Sequence, residues 1–147
     1  MSIRNTIPLT DHQKTQVLKA AREMGMDRAD IVFYSGPSAY SDSLDKILIG
    51  PNIFPATVAS EKKKSTILQR LSMKAALAHE FAHAQTVRNG IAFEAGSLPD
   101  EFQASIFAAR KIAGLDELDQ CRLILDAVER SKERGGNVKK LKSIIHV

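Results

Sequence analysis

Ala75-Ala76-Leu77-Ala78-His79-Glu80-Phe81-Ala82-His83-Ala84 is apolar almost all round apart from three residues, and no breaker interrupts the chain from about residue 65 to residue 87. Such a segment is expected to form a buried helix. On an α-helix, residues four apart lie one above the other, so His79 and His83 can face a single metal ion while Glu80 projects beside them. Neutral imidazole is a preferred zinc ligand at about 2.0–2.1 Å, and catalytic zinc takes three protein ligands and keeps a fourth position for water. Zinc lowers the pKa of that water toward roughly 7, and a neighbouring glutamate can accept its proton and later hand it to a leaving amine. The pattern His-Glu-x-x-His therefore predicts one zinc ion per chain, with His79 and His83 as ligands and Glu80 as the catalytic base. The bland alternative is a helix whose histidines are merely packed. Burying two imidazoles and a carboxylate among Ala, Leu and Phe without a shared purpose is costly, which weighs against it.

The other histidines, His12 and His146, do not lie just downstream of the motif, so the third ligand is expected to be a carboxylate. The metzincin pattern would need Gly where this chain has Thr86 and His where it has Asn89. Glu94, Asp100 and Glu101 remain. Glu101 is favoured because it begins a predicted helix 18 residues beyond His83, a spacing that lets an antiparallel helix return to the metal after a loop.

Outward from this centre, Asn89-Gly90 suits a left-handed helix end, and Asp100 is the expected cap of the next helix. That helix runs from Glu101 to about Ala113, with Phe102, Ile106, Ala109 and Ala113 on one face. Asp116 caps a last long helix to about Arg134, turning Leu118, Cys121, Ile124, Leu125 and Val128 inward ahead of a short basic-apolar tail. Toward the N-terminus, Thr10 or Asp11 caps a helix to about Met24, with Val17, Leu18, Ala21 and Met24 recurring at helical spacing. Ile31-Val32-Phe33-Tyr34 and Lys46-Ile47-Leu48-Ile49 read as strands, the second stopped by Gly50-Pro51 and extended past a bulge by Asn52-Ile53-Phe54. Nearby prolines place this second strand at a sheet edge. The fold class expected is α+β, mostly helical with a small sheet, in a single domain over residues 1–147.

A lone cysteine, Cys121, excludes an internal disulfide and reads as core filling. No stretch has the roughly 18 consecutive apolar residues that span a bilayer, and Met1-Ser2-Ile3-Arg4 leads into no signal-peptide apolar run. The chain reads as made for the cytoplasm, with signal-independent export left open. The net charge of +4 gathers at Lys62-Lys63-Lys64 and from Lys132 to Lys142. Neither cluster interleaves aromatic residues, so nucleic acid is not an expected partner.

Residues 78–114 resemble the gluzincin group of metallopeptidases, in particular its minimal members, in which a His-Glu-x-x-His helix is followed by a helix bearing a Glu ligand. Glu101-Phe102-Gln103-Ala104-Ser105 is similar to the family's Glu-x-x-Ala-Asp segment and implies Glu101 as the third ligand. Ser105 departs from the pattern where the family's Asp buttresses the first histidine, which leaves Asp100 or a backbone carbonyl to support His79. The resemblance also implies an edge strand beside the active-site helix to which an extended peptide adds itself, for which residues 46–54 are the candidate. A weaker, motif-level resemblance is to small metallopeptidase domains attached to bacterial toxins and contractile-injection cargo. For the oxyanion of such a reaction, Tyr34, Tyr40, His146 and Arg110 are the available donors, none singled out by its context. The activity these readings imply is zinc-dependent hydrolysis of peptide bonds in a peptide or protein substrate, in a toxin, effector or regulatory protease. The alternative is a zinc-binding interaction module with a structural or degenerate site.

Overall fold

The computed structural model of the chain describes residues 4–55, 71–91 and 93–146. Among these, the helices are α1 (Asp11–Glu23), α2 (Met73–Arg88), α3 (Leu98–Lys111), α4 (Glu117–Glu133) and α5 (Val138–Ile144). The strands β1 (Ile31–Phe33), β2 (Ala39–Ser41) and β3 (Lys46–Ile49) lie between α1 and α2 in the chain. The fold is α+β and mostly helical, with one small sheet, in agreement with the sequence reading.

Local chemistry sets the helix boundaries. Thr10 accepts the Gln13 N–H while the Gln13 side chain accepts the Thr10 N–H, a reciprocal pair that starts α1. Ser72 starts α2 by accepting from the Ala75 N–H, and Asp116 starts α4 by accepting from the Asp119 N–H. The expected beginning of the motif helix near residue 65 and the 62–64 lysine cluster lie outside the described residues. The cap of α3 differs from expectation. Ser97, not Asp100, is the cap, its side chain accepting the Asp100 N–H, with Pro99 inside the first turn, so the helix begins three residues earlier than Glu101. Asp100 and Glu101 thereby sit in the first turn, where the positive end of the helix dipole favours carboxylates.

The sheet corrects a second expectation. β3 is the central strand, parallel to β1 through Ile31↔Ile47 and Phe33↔Ile49 and antiparallel to β2 through Ala39↔Leu48 and Ser41↔Lys46. Residues 46–54 therefore do not form the edge beside the motif helix. The strand ends at Ile49, Pro51 opens a short 3-10 turn, and the edge strand against α2 is β2. Ala39, Tyr40 and Ser41 are too few and too mixed in character to register as a strand by composition. Gly50 decides how the chain enters β2. A Cβ there would lie 1.6 Å from the Gly36 carbonyl oxygen, so the two loops cross at a backbone contact that only glycine allows. Gly50 N–H donates to Ser38 Oγ at 2.9 Å, and Ser38 N–H donates to Asn52 Oδ1 at 2.8 Å, pinning the start of β2 beside α2.

Val17, Ile47, Ile49, Ile53, Leu77 and Leu123 are fully buried and form the centre of the core around α2. Ala75, Ala78 and Ala82 on α2 and Ala104 and Ala108 on α3 are also fully buried, and their small side chains let helices approach closely. The N-terminal segment is tied to residues 52–54: Asn5 N–H donates to Phe54 O at 3.1 Å, and Arg4 donates to the Asn52 and Ile53 carbonyls at 2.9 and 2.7 Å.

α4 presents a different face from the one expected. Leu118, Cys121 and Ile124 are exposed, while Asp119, Leu123, Ala127 and Ser131 are buried. α4 packs chiefly on α3: Ala127 clusters with Phe102 and Ile106, and Asp126 and Arg130 reach Ser105 and Glu101. Asp119 is tolerated inside because Ser72 Oγ donates to it at 2.6 Å. On α3, Phe102, Ile106 and Ala109 are buried as expected and Ala113 beyond its end is exposed. The basic-apolar tail forms α5, capped by Asn137, and buries Leu141 against a small cluster with Phe102, Ile106 and Ala127. No helix among the described residues is long and apolar enough to cross a membrane.

Candidate metal centre

His79 and His83 lie one turn apart on α2 and point their Nε2 atoms at each other, 3.1 Å apart. Glu101 reaches in from the first turn of α3. Its Oε1 is 3.2 Å from His79 Nε2 and its Oε2 is 3.1 Å from His83 Nε2. His79 also meets Ser105 and His83 also meets Asp100, so the pairing runs in opposite directions along the two helices and they are antiparallel here. The sequence argument for Glu101 relied on that return.

These separations fit a metal. A tetrahedron with bonds of about 2.0–2.1 Å has edges of about 3.3–3.4 Å, close to the observed spacing of the three donors. Two imidazole nitrogens and a carboxylate are also a donor set that zinc accepts. Among the described residues no fourth His, Cys, Asp or Glu joins the group. The protonation pattern points the same way. Burial pulls the His83 pKa down, but hydrogen bonds to Asp100 and Glu101 and the charge of Glu80 outweigh it and lift the imidazole to about 10. Burial raises Glu101, yet its hydrogen bonds to His79 and His83 hold the carboxyl well below the usual range.

Glu80 sits on the same helix, half-buried, and its Oε1 accepts the Tyr40 N–H of β2 at 3.2 Å. Burial raises its pKa, against the attraction of the two imidazoles. A cavity of about 370 Å3 opens on the His79 side of Glu80, and one of about 410 Å3 on the His83 side. Ser38, Glu80 and Glu101 line both, so a cleft crosses the site beside β2.

The other expectations resolve as follows. Glu94 is exposed on the loop before α3 and is not in the cluster. Asp100 is buried, but its Oδ1 lies 3.5 Å from His83 Nδ1, and its Oδ2 accepts the Gly96 N–H at 3.0 Å. It supports His83 rather than His79. The partner of His79 is Ser105 itself, whose Oγ is 2.8 Å from Nδ1. Among the suggested oxyanion donors, the Tyr34 hydroxyl donates to the Pro37 carbonyl and the Tyr40 hydroxyl to Asp45 at 2.7 Å. His146 stands against Phe93, with ring centroids 6.0 Å apart, and Arg110 is exposed.

Two residues at the site escaped the sequence reading. Arg130 donates from Nη1 to Glu101 Oε1 at 3.0 Å and from Nη2 to Asp126 Oδ2 at 3.1 Å, and both side chains line the cavity on the His79 side. They belong to α4, beyond the stretch that resembles a metallopeptidase. The only local signal was an acid and a base four residues apart, which is commonplace on solvated helices.

Comparison of the chain with protein-family models, with curated proteins and with solved structures found no match.

Proposed function

We propose that this chain is a zinc-dependent peptidase of the gluzincin type, with His79, His83 and Glu101 as metal ligands and Glu80 as general base. The observation that carries this reading is the convergence of the three donors within 4.8 Å of one another, with Glu80 beside them in an open cleft. A closed structural site would recruit a fourth protein ligand, and three ligands with room beside them suit catalysis better. Bound zinc would supply a Lewis acid that polarises a carbonyl group and makes water nucleophilic near neutral pH.

The chain's own groups do the rest. Glu80 has a carboxyl whose pKa is raised by burial, which matches a base that takes a proton from water and returns it to the leaving amine. The Tyr40 N–H holds one of its oxygens, so the other is free to work. The cleft continues on both sides of Glu80 and runs beside an edge strand, a shape that suits an extended segment of a peptide or protein substrate. A toxin, effector or regulatory protease is the setting this reading favours.

The test is zinc content by elemental analysis together with hydrolysis of a mixed peptide library, for wild type and Glu80→Gln side by side. Wild type is expected to hold one zinc and cleave, and Glu80→Gln to keep the metal while losing about 100-fold or more in rate. Equal cleavage by the variant would remove Glu80 from the mechanism, and a zinc-free wild type would remove the metal.

A further inference from the structure

Behind His79, opposite the metal-facing nitrogen, two polar side chains, Ser105 and Asp126, follow in line. Ser105 Oγ is 2.8 Å from His79 Nδ1 and 3.3 Å from Asp126 Oδ2, and Ser105 is fully buried. We propose that Asp126 is a positioning residue for the metal centre, acting through Ser105 to hold His79 in the tautomer and orientation that presents Nε2 to the metal. The proposal rests on the reading of His79, His83 and Glu101 as metal ligands, and extends it to α4.

Proton counting supports the direction of the chain. A serine hydroxyl has a single proton, and an ionised carboxylate can only accept. The Ser105 proton therefore goes to Asp126, which leaves the Ser105 lone pairs to accept from His79. His79 then presents Nδ1–H to Ser105, and a metal that displaces the hydrogen bond between Nε2 and Glu101 would meet a neutral imidazole with a bare Nε2, the form that binds metal. The reverse arrangement, with Ser105 donating to a bare Nδ1, would leave that Asp126 oxygen without its serine donor and would place an N–H among the three metal-facing donors. Accepting groups behind a histidine ligand also raise its basicity.

Asp126 is held for this task rather than loosely paired on a surface. Its side chain is 18% exposed, and the oxygen facing Ser105 also accepts from Arg130 Nη2 at 3.1 Å. The other arm of that guanidinium binds Glu101 Oε1 at 3.0 Å. One planar fork thus spans the Asp126 carboxylate and the carboxylate ligand, fixing the distance between them. Ser105 stands between His79 and the carboxylate, which belongs to a different helix.

The experiment is a zinc dissociation constant for each purified protein, measured by competition with a chromogenic chelator. The proteins are wild type, Ser105→Ala, Asp126→Ala, the double alanine variant, and Ser105→Asp/Asp126→Ala, each with a metal-free melting curve to confirm folding. Each single alanine variant is expected to bind zinc about 10–100-fold more weakly. Because both act along one path, the double variant should be no more than about threefold weaker than the worse single. Moving the carboxylate inward with Ser105→Asp/Asp126→Ala should recover most of the loss, which a purely structural role for Asp126 would not produce. Wild-type affinity in Asp126→Ala, or losses that multiply in the double variant, would overturn the proposal while leaving the metal centre intact. Absence of zinc from the wild type would instead defeat the metal reading on which it stands.

Discussion

Tyr40 contributes to the site twice, by its backbone N–H to Glu80 and by its hydroxyl to Asp45, which also takes the Arg88 guanidinium at 3.0 Å. Arg88 is in the last turn of α2 and also meets Asp30 at 3.2 Å, so this small network ties the β2–β3 turn to the end of the motif helix. Burial, the hydrogen bond to Asp45 and that residue's negative charge push the Tyr40 phenol up to about 12 from its ordinary value near 10. The sign follows directly: the folded state prefers the neutral phenol, so the contribution to stability is complete below about pH 10 and is lost as pH rises toward about 12. A difference absorbance titration of wild type against Tyr40→Phe should show one phenol ionising with a midpoint near 12. A midpoint near 10 would mean that the Tyr40–Asp45 contact does not persist in solution. At this same scale the sequence was informative about His79, Glu80 and His83, since their relation depends only on helical geometry between residues three and four apart. It marked position 105 only through the family resemblance and passed over Ser105 for Asp100 or a backbone carbonyl, because the contact of Ser105 with His79 crosses between helices.

Helix α4 shows how an element can mislead when read alone. Leu118, Cys121, Ile124, Leu125 and Val128 form a plausible apolar stripe, yet the buried side carries Asp119, Leu123, Ala127 and Ser131. The small Ala127 leaves room for Phe102 and Ile106 of α3, and the Ser72 hydroxyl satisfies the one buried acid of α4. The substitutions that matter are therefore not those the apolar pattern marks. In urea denaturation, Leu118→Gln and Ile124→Gln should each change stability by no more than about 0.5 kcal/mol. Ala127→Leu should cost about 1–3 kcal/mol, because the added methylenes have no room. The opposite ranking would show that α4 uses its other face. The sheet teaches the same point: β3 is the most buried strand and the central one although it carries Lys46, while the all-apolar β1 is an edge and the edge that reaches the site is the more polar β2.

Across the whole molecule, the candidate metal centre joins α2 to α3, and Arg130 joins α3 to α4. A ligand that binds only the folded chain stabilises it by mass action, about 2.7 kcal/mol at one hundred times its dissociation constant. For a domain of this size, that corresponds to a rise in Tm of roughly 5–10 °C. Saturating zinc should produce such a rise in the wild type, a chelator should reverse it, and His83→Ala should show none. An unchanged Tm in the wild type would argue that no metal bridges these helices.

The sequence by itself determined whatever depends on neighbours along one helix or one turn: the caps at Thr10 and Asp116, the strand character of residues 31–33 and 46–49, the mostly helical α+β class, and the alignment of His79, Glu80 and His83 on one helix. Glu101 was legible in part, because a loop and a returning helix limit which carboxylates can come back to the same point. Only the tertiary structure decided which strand lies at the edge, which side of α4 is inside, and that Asp126 and Arg130 stand behind His79 and Glu101. Those relations join residues that are 21 to 29 positions apart or more, through Ser105–Asp126 and Glu101–Arg130. They are set by how small side chains let helices close on one another, a property of pairs of surfaces that no single stretch of chain contains.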